Sequence, residues 1–177
     1  MGIKYQNLDA LTRTHMRAES DMGGHYQSPR LTAPALAGWV SLLNQAIDNR
    51  DDDWLATALL DGDNFHRQES YTRKDTGKTY SRAINAGHSA QQLAEGEFNR
   101  YYLRGLCRRA QDAGIAHLVV YRGKQVERPR PESEAMIGKQ IPVGELLAAL
   151  RSHDFVSIED ALKVPGGPSS GLSARLP

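Results

Sequence analysis

The sequence has very little cysteine: Cys107 is the single cysteine among 177 residues. One thiol cannot form an intramolecular disulfide framework or a zinc cluster of several cysteines. A nucleophilic pair of Cys107 with His117 is conceivable, but a reactive thiolate is typical of helix N-termini and exposed positions. Because Cys107 falls in the middle of a predicted helix, the sequence favours a buried packing role.

Long apolar runs and known catalytic motifs are also missing. No stretch approaches the ~20 apolar residues of a membrane-spanning helix, and the N-terminus lacks the apolar centre of a signal peptide. The sequence contains no nucleophile elbow, phosphate loop or dinucleotide-binding turn. None of the six histidines stands two to four residues from another, as a local metal site would require. These absences predict a protein with no membrane partner, no cofactor and no enzymatic activity.

The residues that are present suit one globular domain with an uneven distribution of charge. Apolar residues make up 40% and charged residues 24% of the chain, which is ordinary for a soluble domain. Residues 100–130 hold eight basic against two acidic residues, a net charge of +6, so the rest of the chain carries −5. Regions of opposite charge can pair within the chain or between copies of it.

The hydrophobic pattern predicts an α+β fold that begins with a helical part, residues 1–62. A helix capped by Asn7 is expected over Leu8–Met22, a second helix follows Thr32, and a third begins at the acidic run Asp51–Asp53 and continues through Leu60. The face predicted for the core on the first helix consists of Leu8, Leu11, His15 and Ala18.

Residues 63–163 form the predicted α+β core. "HRQESYTRKDTGKTYSRAI" is typical of a β-hairpin that turns at Gly77, with one face expected in solvent. A long amphipathic helix should begin at a capping box of Ser89 and Gln92 and stop at Gly114. The buried strand "IAHLVVYR" should then pair with the hairpin.

The C-terminal region is predicted to be mostly extended. A helix is expected to begin at Pro142 or Val143 and to run through Arg151, and a last helical turn is expected after a Ser157 cap. Residues 164–177, "VPGGPSSGLSARLP", have the composition of a linker. If such an extended tail is ordered, it must lie against its own domain, a second copy or another protein.

The long helix carries the first candidate interaction site. Tyr101 and Tyr102 fall on or beside its apolar stripe, whereas Arg100, Arg104 and Arg108 are predicted to form one exposed edge. Acidic groups of the same chain or of a neighbouring subunit, nucleic acid or plain solvent could face that edge. The abundant acid elsewhere in the chain favours protein. The full predicted set for a partner or a polyanion is Arg100, Arg104, Arg108, Arg122, Lys124, Arg128 and Arg130.

The segment Arg128–Glu134 gives an alternative of a different class. Glu132 and Glu134 lie beside Arg128 and Arg130 in sequence, and this pattern could bind an anion or poise a carboxylate for acid–base chemistry. A solvated loop with local charge pairing is the more common outcome for such a sequence. An enzyme site here would have to line a concave pocket.

The strings "AEGEFNRYYLRGLCRRA", "VYRGK" and "PRPESEAMIG", within residues 94–138, resemble uncharacterised proteins of tailed phages and prophages, encoded near capsid and connector genes. The resemblance implies a location in the virion, or in the host cytoplasm before assembly. With the missing motifs and the separated charge, it favours a non-enzymatic structural or interaction protein that assembles with copies of itself and a larger structural partner. The alternatives are nucleic-acid binding through the arginine edge and an enzyme at the Arg128–Glu134 loop. The C-terminal arm and the 122–139 loop are the expected docking elements.

Overall fold

The computed structural model describes residues 2–152, 158–162 and 170–177, and it has the predicted α+β architecture. Helices pack around one long central helix. Two small antiparallel sheets accompany them, one a free-standing hairpin and the other a three-stranded sheet. The buried apolar residues of both the N-terminal helices and the later elements belong to one continuous core.

The N-terminal helices are α1 (Ala10–Asp21), α2 (Ala33–Asn49) and α3 (Asp52–Leu60). The predicted starts of α2 after Thr32 and of α3 at the acidic run are confirmed, and Asp51 caps α3 by accepting a hydrogen bond from the Trp54 amide. The predicted cap of α1 is wrong. Asp9 caps that helix, and the Asn7 side chain accepts a hydrogen bond from the Leu176 amide instead.

The predicted buried face of α1 is also wrong. Leu11 is 53% exposed, whereas Thr12, Met16, Glu19 and Ser20 are buried. The reason is a close contact between α1 and the central helix at Gly105, where a Cβ atom would lie 2.6 Å from the Met16 backbone nitrogen. That contact turns the Met16 face inward, and the polar side chains of Thr12, Glu19 and Ser20 are buried with it.

The central helix is α4 (Ala86–Asp112), and it ends as predicted before Gly114, which has a left-handed φ of 69°. Its start differs from the prediction because Asn85 caps it by accepting a hydrogen bond from the His88 amide, so Ser89 lies inside the helix. Every residue from Glu97 to Cys107 is buried. The middle of α4 is therefore enclosed on all sides, including the stripe that the sequence predicts as polar and exposed.

The hairpin consists of β1 (Gln68–Thr72) and β2 (Thr79–Ala83), paired antiparallel with Tyr71 opposite Tyr80. Gly77 takes the predicted left-handed conformation, with a φ of 65°. The sequence predicts one face in solvent, but side chains of both faces are exposed except for half-buried Glu69. The hairpin forms a sheet of its own.

The second sheet contains β3 (His117–Arg122), β4 (Gln140–Pro142) and β5 (Leu172–Arg175), in the order β4-β3-β5 with antiparallel neighbours. The predicted pairing of β3 with the hairpin is thus wrong. The end of the supposed linker occupies that place, with Leu172, Ser173 and Ala174 buried. Gly171 makes this contact possible, because a Cβ there would lie 2.5 Å from the Lys124 carbonyl oxygen.

Three further helices complete the described chain: α5 (Pro131–Glu134), α6 (Val143–Leu150) and α7 (Ile158–Ala161). The predicted helix beginning at Val143 is confirmed. The predicted Ser157 cap and the first part of the predicted C-terminal arm, residues 164–169, lie outside the described residues.

Candidate functional site

The predicted exposed arginine edge of α4 is the largest correction. Arg100 and Arg104 are only 4% and 3% exposed, and Arg108 is partly exposed. They are enclosed because α1 and α6 pack against α4 on this side. A buried guanidinium is stable only with hydrogen-bonding partners of opposite charge, and acidic side chains of the same chain supply them.

Glu19 of α1 is the carboxylate that gathers most of these arginines. Its Oε2 lies 3.0 Å from Arg104 Nε and 2.9 Å from Arg151 Nε, and its Oε1 lies 3.5 Å from Arg108 Nη1. Burial acts to raise the pKa of Glu19, but the hydrogen bonds from Arg151 and Arg104 outweigh it and hold that pKa below its usual range. The Glu19 cluster (Glu19, Arg104, Arg108, Arg151) therefore joins three helices through one ionised carboxylate.

Arg100 takes part in a second buried pair, on the adjacent turn of α4. Its Nε lies 3.1 Å from Glu97 Oε1, and its Nη1 donates to the Leu150 carbonyl at 3.3 Å. The Tyr26 amide donates to the other Glu97 oxygen. Burial raises the pKa of Glu97, and Arg100 opposes that shift. This pair ties α4 to the end of α6.

Arg122 and Lys124 serve the C-terminal strand. Arg122 contacts Glu134 at 2.7 Å and donates to the Ser170 carbonyl oxygen at 2.7 Å, and Lys124 pairs with Glu95 of α4. The backbone amides of residues 123 and 124 both donate to the Gly171 carbonyl. These two cations therefore lie where β5 joins the fold.

Arg128 and Arg130 lie in the segment before and at the start of α5, where Arg128 is exposed and Arg130 is half-buried. The Ser133 hydroxyl donates to the Arg130 carbonyl at 2.8 Å, and Glu132 is exposed. The predicted site residues are thus divided among four places: the Glu19 cluster, the Glu97–Arg100 pair, the contacts of Arg122 and Lys124 beside β5, and this loop. They do not form one continuous surface.

Two cavities lie beside these ion pairs, and neither is lined by the Arg128–Glu134 segment. One, of about 450 Å³, lies between the Tyr26–Arg30 segment, the base of the hairpin and the first half of α4. The other, of about 470 Å³, is lined by residues that include His25, Arg104 and Arg151. Burial lowers the pKa of His25, and the positive charge of nearby Arg104 lowers it further.

The charges in the first cavity are paired within the chain. Arg30 donates to both oxygens of Glu69, at 2.8 and 3.0 Å, and to the Ser89 hydroxyl at 3.2 Å. The remaining acidic side chains of the lining are those of the Lys124 and Arg100 pairs described above. Sequence reasoning missed Arg30 and Glu69, because they stand 39 residues apart without any spacing signal.

The buried packing role predicted for Cys107 is confirmed. The residue is fully buried, and burial raises the pKa of its thiol to about 12. A thiol in that state is a poor nucleophile at neutral pH. Tyr101 and Tyr102 are likewise fully buried, as predicted.

The hairpin presents an open, mostly polar surface. Tyr71 and Tyr80 are 40% and 39% exposed, with ring centroids 5.8 Å apart and planes tilted by 28°. The Arg82 guanidinium lies 5.1 Å from the centre of the Tyr71 ring. Arg82 and Arg30 both pair with Glu69, so this one carboxylate attaches the base of the hairpin to the body.

Searches for similar proteins found no matching family model, no matching curated protein and no matching solved structure. Within the described ranges, no helix is both long and apolar enough to cross a membrane. The same residues contain no group of three or more histidine, cysteine or acidic side chains arranged to hold a metal ion.

Proposed function

We propose that this chain is a non-enzymatic structural or interaction protein of a larger assembly, and that it docks through the β1–β2 hairpin. The exposure of both hairpin faces is the observation that carries the proposal. A two-stranded hairpin alone is marginally stable in water. A partner that covers Tyr71 and Tyr80 would bury aromatic surface that the chain itself leaves open.

The internal ion pairs support this choice of docking element. The C-terminal strand and most of the predicted interaction arginines already have partners in their own chain, so they contribute to the stability of the fold. The hairpin and the segment around Arg128 are two elements whose residues stay mostly exposed. Of these, the hairpin offers paired strands with a defined register, a rigid base at Glu69 and two large side chains.

The resemblance of residues 94–138 to phage proteins makes a tailed-phage virion the proposed assembly. A capsid-associated or head–tail connector component would occur in defined copy number, bound to copies of itself and to a larger structural protein. We expect native mass spectrometry of the complex isolated from producing cells to give a defined multi-copy mass. A chain that remains monomeric at high concentration and carries no partner in that measurement would contradict the proposal.

A further inference from the structure

We propose that the partner of the hairpin is nucleic acid, held through its phosphates by the basic turn and through an unpaired base by the exposed tyrosines. This inference rests on the proposed role of the hairpin as the docking element and names the chemistry of its partner. It concerns a surface distinct from the α4 arginines, which the fold buries.

Charge is the first argument. Residues 67–83 contain five basic residues, against two acidic ones, a net charge of +3 in a chain whose total is +1. The basic residues are Arg67, Arg73, Lys74, Lys78 and Arg82. Glu69 is already engaged by Arg30 and Arg82, and Asp75 by Arg73. A surface of this sign attracts a polyanion and repels a basic partner.

The turn concentrates that charge. The Arg73 amide donates to the Lys78 carbonyl oxygen and the Gly77 amide to the Arg73 carbonyl oxygen, so Arg73, Lys74 and Lys78 are held within one closed turn. Among the described residues, no carboxylate lies within ion-pairing distance of Lys74 or Lys78. The side chains of Arg73 and Asp75 are both exposed. Exposed ion pairs contribute little to stability, so a phosphate can replace the Asp75 carboxylate beside Arg73.

The arrangement of side chains along the strands is the second argument. Side chains of a β-ribbon alternate between its faces, and the register pairs Glu69 with Arg82 and then Tyr71 with Tyr80 on one face. The same alternation brings Arg73 and Lys78 next on that face. The tyrosines thus lie between cationic positions, at a spacing of about 7 Å per two residues. Aromatic side chains flanked by cations are typical of surfaces on which unpaired bases stack.

The opposite face suits the sugar–phosphate backbone rather than a hydrophobic protein partner. It carries the exposed residues Ser70, Thr72, Thr79 and Ser81. The Thr72 and Thr79 hydroxyls hydrogen-bond each other, and the Ser81 hydroxyl donates to Gln68. Hydroxyl groups are frequent donors to phosphate and sugar oxygens. The centre of a typical protein–protein interface is a larger apolar area than two tyrosines provide.

Fluorescence anisotropy with a labelled 20-nucleotide mixed-sequence single strand, and with the matching duplex, tests the inference on the full chain. If three cations neutralise phosphates, raising the salt from 50 to 200 mM should weaken single-strand binding about 20-fold. In the Lys74→Gln/Lys78→Gln variant, the same change should weaken the remaining binding only about threefold. Tyr80→Ala should weaken binding about fivefold or more, since it removes a stacking surface.

The control variant Lys4→Gln/Lys139→Gln removes the same charge from exposed positions outside the hairpin, and it should retain the wild-type affinity and salt dependence. Lack of binding to either probe at 50 mM salt would overturn the inference, as would an equal loss in the control variant. Single-strand binding that the Tyr80→Ala variant retains in full would overturn the stacking part. A hairpin that attaches to a protein but to neither probe would overturn this inference while leaving the proposed function standing.

Discussion

The Glu19→Gln substitution tests whether the arginines of α4 are structural. Glu19 is fully buried, and one carboxylate faces three guanidiniums. Glutamine preserves the shape and one acceptor oxygen but removes the negative charge. The variant therefore leaves Arg104, which is 3% exposed, beside two other cations without a counter-charge.

Loss of one partner from a buried ion pair typically costs about 3–5 kcal/mol. The lower end is expected here, about 3 kcal/mol, because the Arg108 and Arg151 side chains are 40% and 31% exposed and water can solvate them. The matched control is Asp48→Asn, which removes a carboxylate from an exposed pair with Arg17. Such pairs contribute about 0–1 kcal/mol.

Urea unfolding at pH 7 measures both variants. With an m-value of about 2 kcal/mol/M, the Glu19→Gln midpoint should fall by about 1.5 M, and the control midpoint by less than about 0.5 M. The double variant Glu19→Gln/Arg104→Gln should lose less stability than the sum of its single changes, because it removes both charges of one pair. Equal midpoint shifts for Glu19→Gln and Asp48→Asn would refute the structural role.

The pH dependence of the same cluster has a definite sign. The pKa of Glu19 is lowered in the folded protein, since the Arg151 and Arg104 hydrogen bonds outweigh burial. Its contribution is therefore present above the pKa of an unfolded glutamate and is lost as the pH falls through the folded value. The Glu19→Gln variant should lose correspondingly less stability on acidification.

Three further predictions concern single residues. Burial raises the pKa of Asp52 from 3.8 to about 6, so the folded chain is more stable with this carboxyl group protonated. As the pH rises from 4 to 7, the unfolding free energy of the wild type should fall by up to about 3 kcal/mol relative to that of the Asp52→Asn variant. Gly105→Ala should lower the urea midpoint because its Cβ would collide with Met16, whereas Gly96→Ala, in open space on the same helix, should not lower it. Cys107 should react with a thiol reagent only after unfolding, and stoichiometric labelling of the native chain would contradict its burial.

Local signals in the sequence were sufficient for much of the fold. Thr32 and the acidic run at residues 51–53 mark helix starts, and Gly77 marks a turn, because caps and left-handed turns depend on a few adjacent residues. The C-terminal strand could not be predicted in this way. Its apolar residues are few, and its partner β3 lies about 50 residues earlier, so only the assembled fold identifies it.

The burial of Arg100 and Arg104 could not be predicted from the sequence for a similar reason. The spacing of Arg100, Arg104 and Arg108 describes one helical face, but it does not tell which element covers that face. The carboxylate that neutralises Arg104 is 85 residues away, and α1 approaches closely enough to bring it there only because position 105 is glycine. The polar hairpin was predictable as a hairpin, whereas its isolation from the second sheet was not.

Photo-crosslinking from the hairpin within the native assembly tests the proposed function most directly. A photoreactive amino acid would replace Tyr71, and a second variant would carry it in place of Gln45, an exposed residue of α2. The account predicts that position 71 forms covalent adducts in the assembled state, with nucleotide or protein identified by mass spectrometry, and that position 45 forms few or none. An assembly in which position 71 yields no adduct would contradict docking through the hairpin.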